Sequence, residues 1–165
     1  LGGNITGIDA DNNAIKTATA HAKKQNLKIN YKPVTAEKLV QTKSEQFDVV
    51  LALEIVEHVT NVEDFIRSCV QLCKPGGLII MSTLNRTPKS FTLGIVAAEH
   101  ILKWVPKGTH NWKKFIKPSE LSRILRKSHI ECANIKGYGF NPLRGEFEIS
   151  NKHVGVNYFI TGKKS

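Results

Sequence analysis

The sequence predicts an α/β fold whose sheet is mostly parallel with one antiparallel strand. Strand-like and helix-like periodicities alternate from Asn4 to Thr83. Within them Phe47–Leu53 (FDVVLAL) is near-continuously apolar, the pattern of a strand buried on both faces of a parallel sheet. The chain closes on two strand-like stretches joined by a turn rather than a helix, so one strand runs antiparallel to the rest.

Along the chain, Asn4–Ile8 is a short strand run closed by Asp9. Asp11 caps a helix in which Ala14, Ile15, Ala18 and Ala22 share one face. Ile29–Val34 alternates as a strand, and Ala36–Val40 forms a short helix. After Phe47–Leu53, Thr60 and Glu63 have the T-x-x-E spacing of a capping box; Val62, Phe65, Ile66, Cys69, Val70 and Cys73 make the helical stripe that follows. Pro75-Gly76-Gly77 ends that helix and turns into a strand over Leu78–Thr83. Beyond Arg86, the residues Phe91, Ile95, Ala98, Leu102 and Val105 recur at four and three and predict a helix over Ser90–Trp104, which Pro106–His110 breaks. Pro118 opens another helix with Leu121, Ile124 and Leu125 on its apolar face. Ile130–Phe140 and Val154–Gly162 are the closing strands, with a long turn around Asn141–Gly145.

A length of 165 residues fits one domain, 1–165, with 87–117 as an inserted helix and loop. The hydrophobic fraction of 41% excludes a disordered chain. No run reaches the ~20 apolar residues of a membrane span, and no signal peptide is visible. Lys and Arg total 24 against 14 Asp and Glu, a net charge of +10. The excess peaks between Arg86 and Lys117, where Arg86, Lys89, Lys103, Lys107, Lys113, Lys114 and Lys117 face a single acid, Glu99. Such a patch attracts anionic lipid, nucleic acid or an anionic substrate; it also serves as a plain solvated face. No aromatic-rich strand of the kind that stacks RNA bases accompanies it, so nucleic acid is not an expected partner. Cys69, Cys73 and Cys132 make no disulfide framework and fit a reduced, intracellular setting; Cys69 and Cys73 lie on an apolar helix face and read as core.

Two places carry chemistry. Asp9 ends a strand in GID, where a carboxylate can accept hydrogen bonds from nucleotide ribose hydroxyls, though an acid there also caps a turn. Glu54, Glu57 and His58, in E-I-V-E-H, follow a buried strand at the carboxyl end, where open α/β sheets bind ligands. If the chain turned helical at Glu54, the three would share one face. Two carboxylates and an imidazole can hold a divalent cation with positions left for substrate. Alternatively His58 is a general base, since histidine titrates near neutral pH. Plainer readings are helix capping by Glu54 and an exposed surface His58.

The segments IDADNNAI, FDVVLALEIVEHV, LCKPGGLIIMSTLNR, VPKGTHNWKKFIKPSEL and GVNYFITGKK together resemble the ubiquinone-biosynthesis O-methyltransferases, over essentially the whole chain. These are class I, S-adenosylmethionine-dependent enzymes that methylate ring hydroxyls of polyprenylated catechols. The resemblance implies that Asp9 holds the cofactor ribose and that Leu53 contacts the cofactor. It implies that Glu54, Glu57 and His58 form a metal site, usually magnesium, with Glu57 and His58 serving catalysis. His110 and Trp112, in the loop after the apolar helix, would close over the ring substrate; Trp112 is equally a packing anchor. Pro88–Lys107 fits a lid, a membrane-interface helix or a helix packed on the core. Partners so implied are the polyprenyl catechol, an anionic membrane surface and other proteins of the same pathway; the location is intracellular, in cytoplasm or organelle matrix, peripheral to the inner membrane.

In that family a central first strand and a glycine-rich loop precede the equivalent of Ile5, and neither is found in this sequence. The expectation is a fragment, or a chain completed by another piece, that binds S-adenosylmethionine weakly by itself. The alternative from another class is an inactive basic module that binds membrane or RNA. A nicotinamide-dependent dehydrogenase shares the acidic strand end, but nothing in the sequence resembles a hydride-transfer site.

Overall fold

Two sheets are present in the computed structural model, which describes residues 2–92, 111–141, 144–151 and 153–165. The chain divides into two units, Leu1–Ser44 and Glu45–Ser165. In the first, β1 (Ile5–Asp9) pairs in parallel with β2 (Ile29–Pro33), from Ile5 opposite Ile29 to Asp9 opposite Pro33. Helix α1 (Asn12–Lys24) connects them and packs on both. Asp11 caps it as the sequence predicts, its Oδ1 accepting from the Asn13 N–H at 2.8 Å, and Ile15 and Ala22 are its buried positions. Helix α2 (Ala36–Thr42) follows, capped by Thr35.

The second unit holds a five-stranded sheet in the order β3-β4-β7-β5-β6. Its strands are β3 (Phe47–Leu53), β4 (Cys73–Leu84), β5 (Ile130–Asn141), β6 (Glu146–Ser150) and β7 (Asn157–Lys164). Only β3 and β4 pair in parallel; β4 with β7, β7 with β5 and β5 with β6 are antiparallel. The expected single antiparallel strand is therefore corrected to two, β7 and β6. Strand β6 falls just past the turn foreseen at Asn141–Gly145: a hairpin returns there, setting Phe147 opposite Phe140 and Ile149 opposite Tyr138.

Helices α3 (Val62–Leu72) and α5 (Pro118–Lys127) pack on the same face of this sheet and touch each other. Their buried residues Ile66, Cys69, Val70, Leu72, Leu121 and Leu125 cover the inward positions Ala52, Ile79, Met81, Tyr158 and Ile160. Cys69 and Cys73 are core, as read from the sequence. The cap of α3 lies one residue beyond the expected Thr60. Asn61 Oδ1 accepts from the amides of Glu63 and Asp64, and its Nδ2 donates to Asp64, so one amide side chain does both parts of a capping interaction.

Among the described residues, the other face of the sheet is left open. Val49, Leu51 and Leu53 of β3, Leu78 of β4, and Phe140, Phe147 and Ile149 of the hairpin are all exposed. The composition of β3 suits burial on both sides, yet Leu51 is 60% exposed: β3 is an edge strand, and among the described residues no helix covers its outer face. The passage from α3 into β4 is abrupt: Cys73 already pairs opposite Phe47, and the Pro-Gly-Gly turn forms a bulge before Leu78 pairs with Val49.

Of the segment 87–117, the ends are described. Helical turn α4 (Pro88–Ser90) is closed by a capping box between Thr87 and Ser90. The Thr87 hydroxyl donates to Gly155 O at 2.6 Å, and Asn85 Nδ2 donates to Val154 O at 2.8 Å, tying β4's exit to the start of β7. Phe115 and Ile116 are buried, and the Tyr158 hydroxyl donates to Ile116 O at 3.0 Å. Most of the helix predicted over Ser90–Trp104, and His110, lie outside the described residues.

Candidate functional site at the end of strand β3

Strand β3 delivers Leu53 and then the acidic turn to the carboxyl edge of the sheet. Leu53 is half exposed and pairs with Ser82. The chain does not become helical at Glu54: residue 54 is in the left-handed region (φ 51°), and 54–60 form turns and bends. The Glu54 amide donates to both Ser82 O and Ser82 Oγ at 3.0 Å, and the His58 amide donates to Ile55 O at 2.9 Å. The helical face expected for Glu54, Glu57 and His58 is thus replaced by a tight turn, and this separates their side chains.

Two adjacent hydroxyl residues of β4 receive the two acids. The Ser82 hydroxyl donates to Glu54 Oε1 at 2.7 Å, and the Thr83 hydroxyl donates to Glu57 Oε2 at 2.7 Å. Consecutive strand residues point to opposite faces. Thr83 shares the helix-covered face with Met81, whereas Ser82 lies opposite Phe159 and Leu53 on the other. Glu54 Oε1 also accepts from the Tyr138 hydroxyl at 2.5 Å, and the Tyr138 ring rests on Phe159 with 4.4 Å between centroids. Burial first, then the bond to Glu54 and its charge, hold the Tyr138 phenol well above its usual pKa, so it remains a donor at neutral pH.

Glu57 is only 4% exposed, and its Oε1 is buried without a hydrogen-bond partner. Burial pushes its carboxyl above the usual range; the Thr83 bond opposes this in part. His58 Nε2 stands 4.0 Å from that Oε1, with the imidazole partly exposed. An orphaned buried carboxylate oxygen facing an imidazole nitrogen suits a divalent ion, because two metal–ligand bonds of about 2.1 Å span such a gap. The pair fits; the trio does not. Glu54 is turned to Ser82 and Tyr138, and among the described residues no three His, Cys, Asp or Glu side chains are grouped to hold an ion.

Asp9 ends β1, exposed, and its Oδ1 accepts from the Asp11 amide at 2.8 Å, a local turn contact. Trp112 donates from its indole N–H to Thr87 O at 3.1 Å and meets Phe91 edge-on at 6.3 Å, the geometry of a packing anchor at the mouth of the 87–117 segment. Sequence reasoning missed Ser82, Thr83 and Tyr138. Two hydroxyls ending the apolar run LIIMST were a visible signal; Tyr138, 84 residues from Glu54, gave none.

The family described as methyltransferase domain matches residues 1–81. Among curated proteins, the ubiquinone biosynthesis O-methyltransferase of Rickettsia typhi is 50% identical over 99% of this chain and 65% of its own length. That of Roseobacter denitrificans is 46% identical over 99% and 66%, and that of Rickettsia bellii 46% over 99% and 68%. The chain therefore spans about two-thirds of the length of these relatives. Among solved structures, an S-adenosylmethionine-dependent methyltransferase of Thermotoga maritima, described as a possible histamine N-methyltransferase, matches with a TM-score of 0.67 at 19% identity, over 98% of this chain and 73% of its own. One of Methanosarcina mazei gives 0.68 at 16%, over 98% and 82%. At such identities the likeness establishes the fold, which is the α/β fold of class I methyltransferases.

Proposed function

We propose that this chain, which belongs to the ubiquinone biosynthesis O-methyltransferase family, carries the acceptor side of an enzyme that moves a methyl group from S-adenosylmethionine to a ring hydroxyl of a polyprenylated catechol. The observation that carries the reading is Glu57 with its orphaned Oε1, 4.0 Å from His58 at the carboxyl end of β3. A carboxylate buried without full compensation is costly and is kept where it does chemistry.

In this reading the methyl passes from the sulfonium to the phenolic oxygen, the thioether departs neutral, and the hydroxyl's proton goes to His58. Glu57 faces that imidazole and stabilises the imidazolium that forms. Alternatively, Glu57 and His58 would hold a divalent ion, magnesium by family resemblance, which would supply the charge that lowers a phenol pKa of ~10 towards neutral; His58 would then be a ligand and not the base. Asp9 is assigned the ribose of the cofactor and Leu53 a cofactor contact. His110 is assigned to closing over the ring, with Trp112 anchoring the loop that carries it. The chain works at the surface of an anionic membrane, where its greasy substrate resides, in keeping with its net charge of +10.

The test is methyl transfer from S-adenosylmethionine to a short-chain polyprenyl catechol, in a chain of the relatives' full length. Glu57→Ala and His58→Ala should each lower kcat by about 100-fold or more, the usual share of a positioned acid or base. Full activity in both would sink the reading.

A further inference from the structure

Glu54 is the member of the E-x-x-E-H turn whose surroundings least resemble those of a metal ligand. Its Oε1 accepts two hydroxyl hydrogen bonds, from Ser82 at 2.7 Å and Tyr138 at 2.5 Å. Its own amide is fixed twice on Ser82, through Oγ and O. These bonds converge from two strands. Tyr138 belongs to β5 and reaches across β7, its ring lying on Phe159, to arrive beside Ser82 of β4. Glu54 also sits at φ 51°, a conformation that side-chain-bearing residues hold only when the surroundings over-determine it. By contrast, Glu57 has one oxygen bonded to Thr83 and one with no hydrogen-bond partner, 4.0 Å from His58 Nε2. Ser82 and Thr83 face opposite sides of the sheet, so the two acids are drawn to opposite sides of the strand end.

We propose that Tyr138 and Ser82 are positioning residues: their hydroxyls hold the Glu54 carboxylate as the anchor of the acidic turn, and Glu57 and His58 alone make up the ion- or proton-handling pair. The role given to the pair rests on the methyltransferase reading; the anchor rests on the hydrogen bonds. An anchor needs an acceptor oxygen at residue 54 and no charge, whereas a ligand to a hard cation needs the charge. Glu54→Gln separates the two, because the glutamine carbonyl can accept from the same hydroxyls.

The experiment uses the full chain and two readouts: Mn2+ titration followed by electron paramagnetic resonance, and amide hydrogen exchange over the turn 54–58. Glu54→Gln and Tyr138→Phe should bind Mn2+ within about threefold of the parent, while Glu57→Gln should lose tenfold or more, the scale of one lost charged partner. Exchange at the Glu54 amide should speed up by about tenfold in Glu54→Ala and Tyr138→Phe and remain at the parent rate in Glu54→Gln. A tenfold loss of Mn2+ affinity in Glu54→Gln, with exchange unchanged, makes Glu54 a ligand and overturns the proposal. Unchanged exchange in Tyr138→Phe overturns it as well. If the parent binds no Mn2+, the ion reading of the pair fails and exchange alone decides the anchor.

Discussion

Glu57 brings a carboxylate into a place where nothing fully compensates it, and this has a thermodynamic signature apart from activity. Burial raises its folded-state pKa above the unfolded value, about 4.3 for a glutamate. The folded state therefore binds more protons than the unfolded one between those two values, and its stability falls as pH rises through that window. The contribution is fully present below the unfolded pKa and lost above the folded one. Glu57→Gln removes the ionisation while keeping an acceptor for Thr83, so it should stabilise the fold by about 1 kcal/mol at pH 7.5 while methyl transfer disappears. Urea midpoints at pH 5 and 7.5 test this; a variant less stable than the parent at both would contradict it. That Glu54, Glu57 and His58 come at the carboxyl end of a strand was legible from the apolar run FDVVLAL that precedes them. Their division was not legible, since it depends on a turn at φ 51° and on partners 26 to 84 residues away.

Among the elements, strand β4 shows how a local motif is read correctly and placed only approximately. The Pro-Gly-Gly signal marks the end of α3, but the strand already begins at Cys73 and absorbs the motif as a bulge. Gly76 takes φ 75°, which favours glycine. At Gly77 the reason is space: a Cβ there would come within 2.7 Å of Cys73 Sγ and 2.9 Å of the backbone oxygens of Asp48 and Lys74. Backbone oxygens cannot swing aside, so Gly77→Ala should open the β3–β4 ladder and destabilise the unit by about 1–3 kcal/mol, against a few tenths at an exposed position. A shift in urea midpoint smaller than that expected at a surface site would show that the bulge relaxes freely. The missed strand β6 has a different cause. EFEIS alternates as a strand should, yet Phe147 is 67% exposed, so its apolar residues cover the hairpin rather than a core, and nothing nearby in sequence says which face is inward. Likewise Thr60 and Asn61 are both good caps, and it is Asn61 that caps α3.

For the whole molecule, alternation of periods was enough to identify an α/β fold, because each strand and helix carries its own pattern; strand direction and order were not, since they are set by contacts distant in sequence. What composition does foretell at this scale is the electrostatic field. The chain carries +10, and among the described residues no helix is long and apolar enough to cross a membrane. On the proposed reading, in which the substrate is polyprenylated, a protein of this charge would meet a bilayer at its surface, each Lys or Arg near an anionic headgroup layer adding about 1 kcal/mol that falls off within a Debye length. That length is ~30 Å at 0.01 M salt and ~8 Å at physiological strength, so the attraction is strongly salt-dependent. Co-sedimentation with vesicles containing phosphatidylserine should therefore be nearly complete at low salt and fall steeply towards 0.5 M, with little binding to purely zwitterionic vesicles at any salt. Equal binding to both vesicle types, insensitive to salt, would assign the association to the exposed apolar residues Phe140, Phe147 and Ile149 instead of the charge. Absence of binding at low salt would remove the membrane surface from the proposed function.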